Sequence, residues 1–515
     1  MKRVRPWILL CILSNSVFGT EKVYDVREYG AKADNQTLCT KSIQAAIDEC
    51  SEAGGGTVYF GGGTFVSGTI VIKSGVTLKL EAGCTLLGSE DLNDYPPKVQ
   101  EFRSYTDNYT DKSLIYAEKA ERIAIVGQGA IDGRGAAFKG PYKVRPYIIR
   151  FIQCKGVTVE DVTIKNSPMW VQHYLACDDV RISGVTVRSR VNGNNDGIDI
   201  DCSQGVDISD CNISSGDDAI VLKSTADRPC RNVVVKNCVL SSHCNALKMG
   251  TESNGGFENI LIYNCTVYDT RLAGLALEIV DGGTMDHVLV SDITMSEVGA
   301  PIFVRLGNRA RPFKKDMDEP GVGRLKNVTI RNIEATGAGP TGCAISGLPQ
   351  AKIENLTLSN IRLSFAGGGT KEAAGRAVPE KETAYPEYSM FGELPGYGFF
   401  CRHVNGLKLD NVEVQLAKDD KRHALVLDDV ALARIDTFDA PAVPGGSATI
   451  RLSETEGVLI HGCRPKEGTD VFVQVEGAKS AGIVLVGNYL RGASKAVQMG
   501  ANVSKTAVSD TANIH

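Results

Sequence analysis

The chain has 515 residues, of which 43% are hydrophobic, 6% aromatic and 23% charged, so it carries enough apolar side chain for a large core and is not a disordered protein. Its 56 Lys and Arg nearly balance 61 Asp and Glu, and the net charge of -5 with no tract of like charge gives nucleic acid no footing. Length alone predicts roughly three domains, a prior that fails for repeat folds, which grow along one axis.

The first predicted element is an export signal over residues 1–19. Lys2, Arg3 and Arg5 form a basic start, Trp7 to Val17 a short apolar run, and Val17 and Gly19 precede a cut ahead of Thr20. The mature protein is therefore expected to be secreted or periplasmic. No later apolar run approaches membrane-spanning length, so no membrane association is expected after cleavage. Residues 20–95 read as an N-terminal cap and the first coils of a solenoid. Within them Thr40 reads as a helix N-cap, Ile43, Ala46, Ile47 and Cys50 recur at helical spacing, and Gly54-Gly55-Gly56 ends the helix.

Residues 96–503 carry an internal repeat. Val206-Asp207-Ile208-Ser209-Asp210-Cys211 recurs at Val233 to Cys238, Ile260 to Cys265 and Val288 to Ile293, with a period of 27 to 28. Related segments lie at Val157 to Val162, Val180 to Val185, Val328 to Ile333, Leu356 to Ile361, Leu407 to Val412, Val458 to Cys463 and Ile483 to Asn488. Each alternates apolar with polar residues, as a half-buried strand must, and then meets Asn, Asp or Gly, which accept a sharp bend. One such unit cannot bury its apolar face alone, whereas coils stacked at strand spacing share a core. The predicted architecture is an all-β parallel β-helix with an N-terminal capping helix. Leucine-rich repeats are the rival solenoid, but their Leu spacing and helical segment are missing. Cys211, Cys238 and Cys265 fall where neighbouring repeats place Val or Ile, and read as stacked buried thiols rather than a disulfide framework. The absence of any C-x-x-C pair leaves a zinc site without support. Residues 366–398 interrupt the period as a long loop, and residues 504–515 read as a weakly ordered tail.

The repeat register places side chains relative to one another. Gly197 to Asp201, Ala219 to Lys223, Ala246 to Gly250 and Gly274 to Glu278 align as successive strands. Their outward rungs read Asp199, Val221, Lys248, Ala276 and Asp201, Lys223, Gly250, Glu278. Asp196, Asp218, Asn245 and Ala273 come immediately before, with Asp217 preceding Asp218. Strict alternation would turn Asp196 and Asp218 inward, so a bend at Gly197 and Gly216 is required. With coils about 4.8 Å apart, Asp196, Asp217 and Asp218 would converge. Three carboxylates so close cannot all ionise cheaply, so one keeps its proton and the site holds both an acid and a base, the pairing glycosidic cleavage needs. A calcium site is the rival reading for Asp196, Asp199, Asp201, Asp217 and Asp218, but no standard calcium spacing is present and Lys223 and Lys248 oppose a cation.

The phrases Asn194-Asn195-Asp196-Gly197-Ile198-Asp199 and Ser215-Gly216-Asp217-Asp218-Ala219-Ile220 resemble the N-T-D and G-D-D motifs of glycoside hydrolase family 28, the polygalacturonase-like pectinases. The resemblance extends through Val26 to Ala31, Gly54 to Leu87 and Asn166 to Trp170, from about residue 23 to beyond 460. It implies a right-handed parallel β-helix, no cofactor, no metal, and hydrolysis of a pectic polysaccharide or oligosaccharide with inversion, with a monomer expected. Carried over by position, Asp217 is the general acid, and Asp196 and Asp218 hold and deprotonate the attacking water. Two motifs depart. The family's His-Gly position is held by Asn245, with His243 two residues earlier, and the Arg-Ile-Lys motif that grips a galacturonate carboxylate aligns with Ala276-Leu277-Glu278. The expected substitutes for substrate binding are Lys248, Lys223, Arg305 and Arg309, with Asn245, His243 and Asp199 beside them. The altered grip points to an exo-acting or rhamnogalacturonan-type enzyme, with Tyr385, Glu387, Tyr388, Phe391 and Tyr397, followed by Arg402 and His403, walling one end of the cleft. His173 reads as architecture beside Trp170 rather than chemistry. A polysaccharide lyase on the same scaffold and a non-catalytic carbohydrate-binding solenoid are the competing functions.

Overall fold

The computed structural model describes residues 22–515, and the expected export signal lies outside them. Parallel pairing runs from Val23–Asp25 to Val508–Thr511 in a right-handed β-helix. Each coil contributes one strand to each of three stacks. One stack passes through Ile149, Gln172 and their neighbours to Ile198–Asp201, Ile220–Ser224 and Leu247–Ser253. The second contains the sequence repeat: Val157, Val180, Val206, Val233, Ile260, Val288, Val328, Leu356 and Leu407 pair in unbroken succession. The third includes Thr186–Ser189, Asn212–Ser215 and Val239–Ser242. Burying the inward row of each strand builds one continuous core, which a single coil has no means to form.

The bend that ends each repeat explains its Asn and Asp. Asp210, Asn237, Asn264, Asp292, Asn332, Asn360 and Asn411 all adopt positive φ, between 52° and 58°. Their side chains also bond coil to coil, with Asn237 Nδ2 donating to Asp210 Oδ1 at 3.1 Å and Asn264 Nδ2 to Asn237 Oδ1 at 2.8 Å. Cys211, Cys238 and Cys265 are buried free thiols in the same stack. The structure adds one coil, in which Ala433, Arg434 and Ile435 pair with Val458, Leu459 and Ile460. Its bend is at Thr437, with φ 57°, a residue that carries no turn signal of the Asn or Asp kind.

Two sequence expectations are corrected. Thr40 is the first residue of the helix Thr40–Glu52, not its cap; Cys39 holds the cap position, and Thr40 Oγ1 accepts from Gly68 N at 2.8 Å, tying the helix to the first coils. Ile43, Ala46, Ile47 and Cys50 are the buried face of that helix, as the spacing predicts. Residues 504–515 do not form a loose tail. Val508–Thr511 pairs with Ile483–Val486, and the Asn513 side-chain oxygen accepts from Asn488 N at 2.7 Å, completing a last coil.

The chain between the third stack and the first carries the long insertions. One strap covers residues 92–112, another residues 366–395, and the latter sinks Met390, Phe391 and Leu394 against Ala276, Phe303, Ala344 and Phe400 of the first stack. The outward rungs of that stack are therefore roofed by loops rather than bathed in solvent.

Candidate active site

The three predicted acids converge because their coils are adjacent. Gly197 N donates to Asp218 O at 2.9 Å, Ala219 N to Asn245 O at 2.9 Å and Ala246 N to Ala273 O at 3.1 Å, so Asp196, Asp218, Asn245 and Ala273 are consecutive rungs. Trp170 is the rung before them, since Val171 N donates to Asp196 O at 2.8 Å. The turn that frees Asp196 from strict alternation comes from Asn194, at φ 56°, and from Asn195, whose side chain donates to the carbonyls of Ser167 and Met169 at 2.8 and 3.1 Å. Gly197 serves a different end from the expected bend: a Cβ there would lie 2.5 Å from Ala219 O, so its bareness lets the two acid-bearing coils close up.

Asp217 and Asp218 approach within 4.8 Å of each other and of Cys244 Sγ. Asp218 is 3% exposed, and its Oδ1 accepts from Asn245 N and Nδ2 at 3.0 and 2.9 Å. Lys248 Nζ stands 3.2 Å from its Oδ2. Burial opposes ionisation there, but Lys248, Lys223 and the Asn245 bonds overcome it and hold Asp218 below the ordinary carboxylate value. Asp217, partly open to solvent, is pushed up by burial and then by the negative charge of Asp218. Two adjacent carboxyls are thus pushed in opposite directions, Asp217 toward its protonated form and Asp218 toward its ionised form. These two with Cys244 are the only group of metal-ligating side chains so clustered among the described residues. Lys248 already supplies the positive charge at that point, and burial with the nearby Asp217 and Asp218 drives the Cys244 thiol well up, so the cluster is ill suited to a cation.

Lys223, on the coil of Asp217 and Asp218, reaches to the preceding one: its Nζ lies 3.6 Å from both Asp196 Oδ2 and Asp199 Oδ1, 3.8 Å from Glu252 Oε2 and 4.7 Å from the Trp170 ring centre. Burial, and then mutual repulsion, push Asp196 and Asp199 well up. One ammonium shared among Asp196, Asp199 and Glu252 does not offset all of their charge, so ionising both aspartates together is opposed. Asp199 is fully buried with neither oxygen hydrogen-bonded, whereas Asp196 is 3% exposed and is the member with access to water. Below them His173 bonds Asp201 at 3.1 Å and stacks on Tyr147; both groups are fully buried, and His173 is architecture.

Of the remaining predicted ligands, Asn245 holds Asp218, as above, and His243 is exposed at the rim, where its carbonyl accepts from Arg271. Arg309 forms a fork onto Asp281 and lies 5.3 Å from the Tyr385 ring centre. Arg305 does not reach the cleft. It is 1% exposed and donates to Ser346 Oγ, Gly347 O, Glu380 O and Lys381 O, so its charge is spent anchoring the 366–395 strap. Arg402 does the same through Val378 O and Pro379 O. The strap lays Tyr385 5.7 Å from Lys248 Nζ, with Glu387 next to it in the chain order Tyr385-Pro386-Glu387.

Sequence reasoning missed Glu252, Asp281 and Arg311. Arg311 Nη2 donates to Glu252 Oε1 at 2.7 Å and pairs with Asp281 at 3.1 Å, and Tyr109 of the first strap donates to Glu252 at 3.5 Å. Glu252 reaches this place because the register slips: Leu222 pairs with Met249, but Ser224 pairs with Ser253, so Gly250 to Glu252 bulge out. The one available signal was Gly250 in a strand pattern.

Glu278 is fully buried, both its oxygens lack a hydrogen bond, and Lys248 Nζ is 3.8 Å away. Burial, then Glu387 and Asp218, push it up to about 8 against the pull of Lys248. A carboxyl raised by folding gives its full contribution only below its unfolded value of 4.5 and loses it as pH rises through the folded value. Relative to Glu278→Gln, the wild type should therefore lose ~3 kcal/mol between about pH 5 and about pH 8. Urea unfolding of both proteins at the two pH values checks this, and a constant difference would refute it.

A family model described as glycosyl hydrolases family 28 matches residues 50–384. A curated protein named "Probable polygalacturonase", from Vitis vinifera, is 26% identical over 420 residues, covering 75% of this chain and 84% of its own. An exo-poly-alpha-D-galacturonosidase of Dickeya chrysanthemi is 40% identical over 121 residues, 22% of this chain and 20% of the relative. Among solved structures, an exopolygalacturonase from Thermotoga maritima superposes with TM-score 0.59 at 24% identity, covering 67% of this chain and 87% of that one. A family 28 exopolygalacturonase from Yersinia enterocolitica gives 0.61 at 20%, covering 81% and 79%. At these identities the two structures speak for the fold.

Proposed function

Since this chain belongs to glycosyl hydrolases family 28, a family of glycosidases, we propose that it hydrolyses galacturonate-containing pectic chains from an end, with inversion, outside the cytoplasm. The carrying observation is the convergence of Asp196, Asp217 and Asp218 on adjacent coils with their protons unequally held. Asp217 gives its proton to the leaving oxygen as the glycosidic bond breaks. Water attacks the anomeric carbon and passes a proton to Asp196, while Asp218 accepts a hydrogen bond from that water. Asp217 and Asp218 stand closer than the ~6.5–9.5 Å that an inverting pair leaves for water, so the water belongs on the Asp196 side.

Attack from a chain end is supported by the two straps, one bringing Tyr109 against Trp170, the other Tyr385 over Lys248. Export is supported by the basic and apolar start of the sequence. The lyase reading is disfavoured because it needs a neutral base beside a uronate. Lys223 and Lys248 are buried, yet the surrounding carboxylates drive both well above the ordinary lysine value and keep them charged.

Incubation with pectic oligosaccharides, following product size and anomeric configuration by NMR, tests this reading. A single small sugar product of inverted configuration from the first turnovers is expected; an early ladder of intermediate lengths would establish internal cleavage instead, and a retained configuration would remove the water-attack scheme.

A further inference from the structure

The outward face of the first stack continues past the strap of residues 366–395, on the side away from the acids. There Phe400, Val426, Arg451, Gln474 and Gln498 follow one another in register. Arg451 stands six coils past Lys248, by way of Ala276, Phe303, Ala344, Phe400 and Val426, or roughly 29 Å along the axis. Two adjoining cavities open along this row. One of about 320 Å³ lies over Phe400 and Val426, one of about 440 Å³ over Gln474 and Gln498, and Gly375 and Arg451 line both. Their outer wall is the start of the strap, from Lys371 to Glu380, so the strap separates this trough from the catalytic cleft.

The charges of the trough suit an anion. Its carboxylates are answered from within: Arg451 Nε and Nη2 both stand 2.8 Å from Glu476 Oε2, and Arg402 lies 3.1 Å from Glu380. Burial pushes the third, Asp428, up toward its protonated form. The two strap cations at the rim have no such answer. Lys371 Nζ donates to Gly445 O at 3.3 Å and Arg376 Nη1 to Phe391 O at 3.0 Å; both side chains are exposed, and neither forms an ion pair among the described residues. The floor suits a saccharide. Gln474 Nε2 donates to Glu476, leaving its oxygen as an acceptor, and Gln498 is exposed on the next coil. These polar groups repeat every ~4.8 Å, of the order of one pyranose unit, and offer donors and acceptors to successive sugars.

We propose that this trough is a second saccharide site, without catalytic groups, that takes a short run of uronate units and so holds a polymeric acidic glycan on the enzyme. The tethering role rests on the pectic glycosidase reading above; the binding does not. A chain held in the trough while its end lies among the acids makes the second encounter intramolecular. Polymer gains from this, and fragments too short to span roughly 29 Å do not.

The test pairs binding with kinetics on the full chain. The double variant Lys371→Glu with Gln498→Ala changes two exposed side chains and leaves the core alone. In an Asp217→Asn background, calorimetric titration with an oligogalacturonate long enough to span both places should show two sites, and the double variant should show one. A neutral galactose oligomer of the same length should leave the lost site empty. In the active enzyme, the double substitution should lower kcat/KM on polygalacturonate about tenfold relative to that on trigalacturonate. Oligogalacturonate binding that the double substitution leaves intact, or equal occupancy of the trough by the neutral oligomer, overturns the proposal while leaving the glycosidase reading in place. Loss of the site with an unchanged kinetic ratio overturns the tethering role. A trough that binds oligogalacturonate on an enzyme that cleaves neither substrate keeps the site and overturns the glycosidase reading instead.

Discussion

Asp217→Asn should lower kcat by ~10²–10⁴-fold on a natural pectic oligosaccharide while the protein stays folded. Asp217 is partly open, is followed at once by Asp218, and is pushed toward its protonated form by burial and by that neighbour. The amide keeps the shape and removes the proton that the leaving oxygen needs. Because the lost step is leaving-group protonation, the deficit should shrink on a substrate whose aglycone departs unaided, such as an aryl glycoside with an acidic phenol. Release of reducing ends on both substrates measures the effect. An equal loss on both would assign Asp217 a role other than acid, and full activity would remove it from the chemistry. Thermal stability should hold or rise, since a carboxyl whose ionisation is opposed in the folded state has been replaced by a neutral group.

Lys223→Met should be the most damaging change to the fold around the site. Its ammonium sits within 3.6 to 3.8 Å of Asp196, Asp199 and Glu252, all buried. Removing one partner of a buried charge cluster typically costs about 3–5 kcal/mol, because the remaining charges lose their compensation. Glu252 retains Arg311, so the penalty falls on Asp196 and Asp199. Both would take up protons, and Asp196 would cease to be a base, so kcat/KM should fall at least ~100-fold together with stability. The lysine is raised well above its ordinary value in the folded state, so its contribution is complete at neutral pH and is lost only as pH climbs past the ordinary lysine value. The stability loss in the variant should shrink in acid, where the carboxyls are protonated in both proteins. Denaturant unfolding at about pH 4 and about pH 7 measures this; a loss independent of pH would show that packing against Trp170, not charge, is what Lys223 supplies.

The carboxylate trio was legible in the sequence because a solenoid converts chain spacing into spatial adjacency. Once Val206, Val233 and Ile260 are recognised as equivalent, Asp196 and Asp218 follow as neighbouring rungs, and the backbone pairing places them so. The same logic failed wherever the register changes. Glu252 was invisible because a bulge after Met249 carries it alongside Lys223, and no period marks a bulge. Arg305 was misjudged for the opposite reason. Its rung is as expected, opposite Glu278, but a strap from residues 366–395 arrives overhead and consumes its donors. Rung position says which way a side chain leaves the sheet and nothing about what a distant loop lays on it.

By itself the sequence determined the coil repeat, the capping helix, the stacked thiols and the set of acids, since each follows from local alternation and from a spacing that the strand distance must respect. Only the tertiary structure decided which acid is pushed toward its protonated form, which cations face the cleft, and that Glu278 and Glu387 carry buried oxygens without a hydrogen bond. Those outcomes depend on burial and on charges several coils or a whole strap away, and a pKa or a free hydrogen-bonding atom is a property of the surroundings rather than of the residue that bears it.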